Sequence, residues 1–478
     1  MKEHLIYFTK KMQLATNDIL NSRMKIISFH EVVLWDVKRY SSKKIQSDYP
    51  IVKLGSCIQE QSHRVRLSDF PDEEFGILGV SNKVGIFDAY QEKGGNINQP
   101  YKKMKDGWLA YNPYRINVGS VGVKTNIQKY DFISPAYIVF SCGDKLLPDF
   151  LYKLFKTECF NRIINENTTG SVRQSLTFDI LKTLDIPLPP VSRDSIKGIF
   201  IGQTQEEFLR SYYLKIEEAK KQDKEAENKE LEINSYLLDV LGVNIEKNER
   251  QKGMSFTKYS FIDRWATDYL FNVKSIKGIT EAKYPTLKVK NFLLSFQYGS
   301  SSKASEEPAG TPILRMNNIV NAELNIADLK YIQIDEFQKE KLLLEKGDLL
   351  FNRTNSKELV GKTAVFELNG DYVFASYLIR LKLDSKKVNP HYINYLFNSP
   401  IGRMQIDMVS RQVLGQANVN AQELQDFIFP IPKDIKIQNQ IVREISCIKN
   451  EAKKLRDKAE HNRQKAIKEF EQALFKQS

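Results

Sequence analysis

The chain has 478 residues, with 71 Lys and Arg against 59 Asp and Glu, a net charge of +12 and a pI near 9.1. That length calls for at least two domains, and a hydrophobic content of 41% fits ordinary cores but is too low for a membrane protein. No run of 18 apolar residues offers a transmembrane span, Met1-Lys2-Glu3-His4 does not begin a signal peptide, and the scattered Cys57, Cys142, Cys159 and Cys447 read as incidental thiols of a reduced, cytoplasmic protein.

In chain order, residues 1–30 form an N-terminal extension, of which 1–24 match nothing later in the sequence. Residues 31–195 are a mixed region of short runs dense in Gly, Asn and aromatics. Tyr137-Ile138-Val139-Phe140 is β-branched and aromatic, as strands are. Residues 149–155 follow Pro148 and predict a short helix, because proline suits a helix start. Ile186-Pro187-Leu188-Pro189 closes the region.

Residues 196–244 hold a long helix. Leu209, Tyr212, Ile216, Ala219, Asp223, Ala226, Glu230, Ile233, Leu237 and Val240 alternate steps of three and four, and eight of these ten are apolar. Gly242 is a suitable helix stop. Residues 245–434 repeat the mixed region, with a strand at Thr363-Ala364-Val365-Phe366, a short helix over 391–397 after Pro390, and Phe429-Pro430-Ile431-Pro432 at the close. Residues 435–478 hold a second long helix with a seam of Ile441, Ile445, Ile448, Ala452, Leu455, Ala459, Ala466 and Ala473. Both seams are Ala-rich and broken by Asp223, Glu230 and Asn462. Neither would be strong alone, so each predicts the other as its antiparallel partner, rather than two unrelated surface helices. Helices of about 35–40 residues make a rod of roughly 50–60 Å, with a mixed domain expected at each end.

The repeat is explicit. Trp35-Asp36 is answered by Trp265-Ala266, Tyr49-Pro50 by Tyr284-Pro285, Gly107 to Asn112 by Gly347 to Asn352, Leu154-Phe155 by Leu396-Phe397, and Ile186-Pro187 by Phe429-Pro430. The offset climbs through 230, 235, 240, 242 and 243 in one direction, as small insertions would make it. A period this long is a duplicated domain, not a solenoid.

Catalytic motifs are scarce. There is no P-loop, no H-E-x-x-H, and no Cys/His cluster with metal-ligand spacing. The five histidines do not recur between the halves. Asn112-Pro113-Tyr114 has some likeness to the Asn-Pro-Pro-aromatic signature of adenine methyltransferases, but the second copy reads Asn352-Arg353 and no glycine-rich cofactor loop lies upstream. Instead an Arg-x-Asn tripeptide appears in both copies, at Arg115/Asn117 and Arg353/Asn355. Arg matches the O6/N7 edge of guanine and Asn the N6/N7 edge of adenine; the same residues also contact phosphates or stabilise turns. Late in each mixed region sits a polar, glycine-bearing loop, residues 168–175 and 411–420, of the kind that carries function on a rigid frame.

On these residues the chain resembles the DNA specificity subunits of type I restriction–modification systems. The resemblance runs from about Trp35 to Phe475. It rests on the paired Tyr-Pro starts, on residues 347–356 (GDLLFNRTNS), on 415–432 (GQANVNAQELQDFIFPIP) with its looser copy 170–189, and on the two helices. It implies an α+β fold: two target-recognition domains of mixed β with short helices, in pseudo-twofold repeat, separated by two long antiparallel coiled-coil helices. Each domain would read one half of a split double-stranded DNA sequence, and the helices would set the spacer. The subunit would have no catalytic activity. It would hold two methyltransferase subunits, with two restriction/translocase subunits usually joining them, and S-adenosylmethionine, ATP and Mg would sit on those partners.

The candidate DNA-binding set is Arg64, Arg66, Asn112, Tyr114, Arg115, Asn117, Lys124, Arg173 and Gln174 in the first copy. In the second it is Lys303, Arg315, Asn317, Arg353, Asn355, Lys362, Arg411, Gln412, Gln416 and Asn418. The helix-pair seam set is Leu209, Tyr212, Ile216, Ile233, Leu237, Ile441, Ile445, Ile448 and Leu455. No catalytic or metal residue is assigned. The alternatives are the recognition subunit of a methyltransferase-only or related phage-defence complex, a protein-only coiled-coil adaptor, and a single-chain enzyme, for which the sequence has no room.

Overall fold

The computed structural model describes residues 45–168, 175–196, 198–245, 276–413 and 416–476, and the side chains of 411–413 and 416 lie outside that description. The N-terminal extension, Trp35-Asp36 and Trp265-Ala266 fall outside it too. The chain divides into two units: residues 1–221 with 458–478, and residues 222–457. Each unit thus takes one part of each long helix.

Unit 1 runs β1 (Ile51–Lys53), β2 (Ile58–Glu60), β3 (Arg64–Val65), β4 (Glu74–Ser81), β5 (Gly85–Lys93), β6 (Tyr101–Lys103), β7 (Leu109–Tyr111), β8 (Val121–Val123), β9 (Phe132–Ile133) and β10 (Ile138–Cys142). Helices α1 (Pro148–Leu154), α2 (Glu158–Asn167) and α3 (Phe178–Lys182), then β11 (Asp185–Pro187), lead to the central helix α4 (Gln205–Leu241). Pro148 opens α1, where its missing N–H costs nothing. β1 pairs antiparallel with β11, Ile51 opposite Pro187, which closes the domain on itself. Two sheets carry the rest, in the orders β2-β10-β7-β8 and β3-β6-β9-β4-β5, with β4 and β9 parallel.

Unit 2 runs β12 (Thr286–Lys288), β13 (Leu293–Tyr298), β14 (Thr311–Leu314), β15 (Ile319–Val320), β16 (Glu323–Leu324), β17 (Lys330–Ile332), α5 (Glu336–Leu342), β18 (Leu349–Asn352), β19 (Thr354–Asn355), β20 (Thr363–Val365), β21 (Val373–Phe374) and β22 (Leu378–Leu383). It continues through α6 (Pro390–Asn398), α7 (Pro400–Val409), β23 (Arg411–Val413), β24 (Gln416–Asn418), α8 (Ala421–Gln425), β25 (Ile428–Pro430) and α9 (Ile435–Leu474).

The frame of unit 1 recurs in unit 2. β12 pairs with β25, Thr286 opposite Pro430. The sheet β13-β22-β18-β20 repeats β2-β10-β7-β8, and the parallel pair β14/β21 repeats β4/β9. The loop bonds repeat as well: Leu54 N–H to Leu184 C=O matches Val289 N–H to Phe427 C=O, and Leu188 N–H to Pro50 C=O matches Ile431 N–H to Pro285 C=O. What differs is the decoration. Unit 1 has the long β4/β5 hairpin; unit 2 has the small sheets β17-β14-β21 and β19-β24-β23.

A pair of buried glutamines joins each frame to its helix. Gln205 Nε2 donates to the carbonyls of Lys145 (2.9 Å) and Pro189 (2.7 Å), and its Oε1 accepts from Leu147 N–H (2.8 Å). Gln438 Nε2 donates to the carbonyls of Lys387 (3.0 Å) and Pro432 (2.9 Å), and its Oε1 accepts from Asn389 N–H (2.8 Å). Both are fully buried. An amide suits the place because it offers two donors and an acceptor to three otherwise unpaired backbone groups.

The helix seam differs in detail from the sequence expectation. Leu237, Ile441 and Ile445 are buried; Leu209, Tyr212, Ile216, Ile233, Ile448 and Leu455 are half-buried. The fully covered line runs through Phe208, Ala219, Gln222, Ala226, Leu237 and Leu241 on α4, and Ile441, Ile445, Ala452, Ala459, Ala466, Phe470 and Leu474 on α9. Gln222 replaces Asp223, Leu241 replaces Val240, and Leu474 replaces Ala473, which is exposed. A 3.6-residue turn drifts about 20° per heptad, so a strict seven-residue template slides off the buried face. The covered positions of the two helices coincide at one offset of 233, as in Phe208/Ile441, Ala219/Ala452, Ala226/Ala459, Leu237/Phe470 and Leu241/Leu474.

Within unit 1, the rings of Phe150, Phe208 and Phe470 lie with centroids 5.3–5.9 Å apart. Within unit 2, Leu237 and Leu241 share a core with Ile441 and Ile445, and Lys229–Glu451 and Arg456–Glu230 bridge the two helices at 3.3 and 2.8 Å.

Candidate nucleic-acid interface

In unit 1 the candidates fall in three places. Arg64 and Arg66 are exposed at β3, an edge strand, where Arg64 sits opposite Lys102. Asn112, Tyr114, Arg115 and Asn117 share one turn. Asn112 shapes it: its Oδ1 accepts from Tyr114 N–H (3.0 Å) and its carbonyl from Arg115 N–H (3.0 Å). Tyr114 and Arg115 project into solvent, while Asn117 is half-buried. Gly119 ends the turn at φ 84°, a left-handed conformation that glycine adopts without strain. Lys156 Nζ donates to its carbonyl at 2.9 Å.

Lys124 is a correction. It is 4% exposed and its ammonium meets Asp106 (2.6 Å) and Asp131 (3.1 Å). Burial pulls its pKa down, but the two carboxylates outweigh it and the net shift is upward. This cation is buried beneath two half-exposed carboxylates that pair with it and presents no free surface charge. Arg173 and Gln174 lie outside the described residues.

In unit 2 the candidates converge. β19 pairs with β24, Thr354 opposite Asn418 and Asn355 opposite Ala417, and β24 pairs with β23, Arg411 opposite Asn418 and Gln412 opposite Ala417. The backbones of Arg411, Gln412 and Gln416 therefore border the same small sheet as Asn355 and Asn418. Thr354 Oγ1 donates to Asn418 Oδ1 at 2.6 Å. Asn355 Nδ2 reaches Met316 Sδ at 3.5 Å, which brings in the turn that carries Arg315 and exposed Asn317. Arg315 is tied to Asp328 at 3.0 Å. Arg353 lies over the ring of Tyr298, 4.8 Å from its centroid. Lys303 is exposed, and Lys362 is half-buried.

Two backbone bonds also correct the Arg-x-Asn alignment. Leu176 N–H donates to Pro113 C=O where Val419 N–H donates to Arg353 C=O, and Asn112 N–H to Ser120 C=O where Asn352 N–H donates to Lys362 C=O. Arg353 thus holds the place of Pro113, and Asn355 that of Arg115. The two arginines are not equivalent: Arg115 is exposed on a turn and Arg353 is half-buried on a ring.

Sequence reasoning missed Tyr298 and Thr354. Tyr298-Gly299, an aromatic next to a turn residue, was the available signal. Among the described residues, no group of three or more His, Cys, Asp or Glu could hold a metal, and no helix is long and apolar enough to cross a membrane.

Comparisons with known proteins agree with this architecture. Residues 271–461 match the model of the type I restriction modification DNA specificity domain. The type I restriction enzyme EcoKI specificity subunit of Escherichia coli K12 is 28% identical over 165 residues, 34% of this chain and 35% of that protein. The StySPI specificity subunit of Salmonella potsdam is 31% identical over 135 residues, 28% of this chain and 29% of that protein. The chain thus aligns with about a third of the length of the curated relatives it matches. A chain from a structural study of the assembly of a type I R-M system shares the fold over 90% of this chain and 99% of its own, with a TM-score of 0.52 at 13% identity. The match over residues 271–461 falls on unit 2 and the start of its closing helix, and in sequence the chain is similar to type I restriction enzyme specificity subunits.

Proposed function

We propose that this chain is the non-catalytic DNA-reading subunit of a type I restriction–modification complex. Each unit reads one half of a bipartite double-stranded target. The long helices set the unread spacer and hold two methyltransferase subunits, which two restriction/translocase subunits join. S-adenosylmethionine, ATP and Mg belong to those partners. The observation that carries this reading is one frame built twice, clasp glutamine included, under different polar loops. A shared scaffold with divergent loops suits two readers of two sequences.

The test is a helix insertion. Four residues added at exposed Lys224 make about one turn, roughly 6 Å of helix. DNA rises about 3.4 Å per base pair. Methylome sequencing of the mutant host should return both half-sites unchanged and a spacer longer by one or two base pairs. An unchanged spacer would remove the helices from that role, and altered half-sites would overturn the division of labour.

Binding should also weaken steeply with salt, because each neutralised phosphate contributes a slope of about −0.9 in log K against log salt. A flat response in a titration with the mapped duplex would contradict the electrostatic part.

A further inference from the structure

Arg353 differs from its neighbours in how it is held. Arg315 is paired with Asp328, Arg403 with Asp407, and Arg380 donates to the carbonyl of Leu343 and to Gln297. The Arg353 side chain makes no hydrogen bond or ion pair with the described residues, and its Nε is buried without a partner among them. What fixes it is the face of Tyr298, 4.8 Å away.

Tyr298 is itself fixed. Its backbone pairs with Ile379 in the sheet, its hydroxyl accepts from Ala421 N–H at 3.2 Å, and the ring of Phe296 meets it edge-on at 6.3 Å and 87°. It keeps 38% of its surface exposed. The platform is therefore rigid at both ends and open on one side. A stacked guanidinium keeps its donors in one plane. The planar fork matches the paired O6 and N7 acceptors of guanine, and it also matches two phosphate oxygens, so the two targets are separated by binding to a scrambled duplex. The surroundings fit a base edge as well, since Asn355 and Asn418 stand on the adjoining strands.

We propose that Tyr298 is a positioning residue that aims Arg353, and that the pair reads a guanine edge in the half-site of unit 2. This rests on the DNA-reading function proposed above. The test is a double-mutant cycle on the full chain in its complex: wild type, Tyr298→Leu, Arg353→Lys and both. Binding is measured at fixed salt to a duplex carrying the methylome-mapped site and to one with the unit 2 half-site scrambled.

Arg353→Lys keeps the charge and loses the fork. It should weaken specific binding roughly 10- to 100-fold and leave scrambled-duplex binding and the salt slope unchanged. Tyr298→Leu should do the same to a similar degree, and the double variant should be no worse than Arg353→Lys. Tyr298→Phe keeps the ring but frees its hydroxyl end; it should fall between wild type and Tyr298→Leu, and it completes the cycle if the leucine variant does not fold. Equal loss on both duplexes would assign Arg353 to phosphate, and multiplying effects would show that Tyr298 does not aim it; either overturns the proposal. Failure of the wild-type complex to prefer its mapped site would instead overturn the parent reading.

Discussion

Gln438→Ala is expected to lower the stability of unit 2 by about 3 kcal/mol or more. It would leave Asn389 N–H and the carbonyls of Lys387 and Pro432 buried without partners, and each such orphan costs about 1–3 kcal/mol. Gln205→Ala should do the same to unit 1 through Leu147, Lys145 and Pro189. Gln438→Glu is a sharper probe. Its carboxylate can still accept from Asn389 N–H but faces two carbonyl oxygens instead of donating to them. It should be no better than alanine. Urea denaturation, with hydrogen exchange to locate the opening, reads the effect. A loss under about 1 kcal/mol would mean that water replaces the amide and that the clasp is not what fixes the recognition frame to its helix.

Phe470→Ala should cost unit 1 about 3–5 kcal/mol, the usual range for removing a buried ring. Phe470 is 3% exposed and touches Phe150, Phe208 and Tyr212. The ion pair one residue away, Lys215–Glu469 at 2.8 Å, leaves Glu469 44% exposed, and such pairs contribute about 0–1 kcal/mol. Ring packing and not charge therefore holds this end of the C-terminal helix. Limited proteolysis should cut near residue 470 in the variant and spare the wild type. Similar loss from Lys215→Ala would invert that ranking.

The frame was legible in the sequence where the repeat was dense. The Tyr-Pro starts, the Gly107 and Gly347 segments and the Pro-x-Pro closures all fall on equivalent elements of the two units. The clasp glutamines were not legible, for a definite reason. The offset climbs to 243 at Pro189/Pro432 and then drops to 233 at Gln205/Gln438, because 16 residues separate proline from glutamine in one copy and 6 in the other. A search that expects one-way drift passes over them. The Arg-x-Asn match failed by two residues for a related reason: similar letters sat near the true register, and only backbone hydrogen bonds fix which carbonyl is which. Lys124 failed because sequence records a charge but not the two carboxylates that enclose it.

The division of the chain into units carries a consequence for biosynthesis. Unit 2 is one continuous segment, residues 222–457, whereas unit 1 needs residues 458–478 to complete its core around Phe208 and Phe470. Domains generally fold as they emerge from the ribosome, N-terminal first. Here the order is reversed for completion: the earlier-made unit must wait, its phenylalanine pocket uncovered, until the later-made unit has been synthesised in full. A chain released near residue 457 would thus hold a complete second unit and an incomplete first one, which is the state that chaperones and proteases would meet.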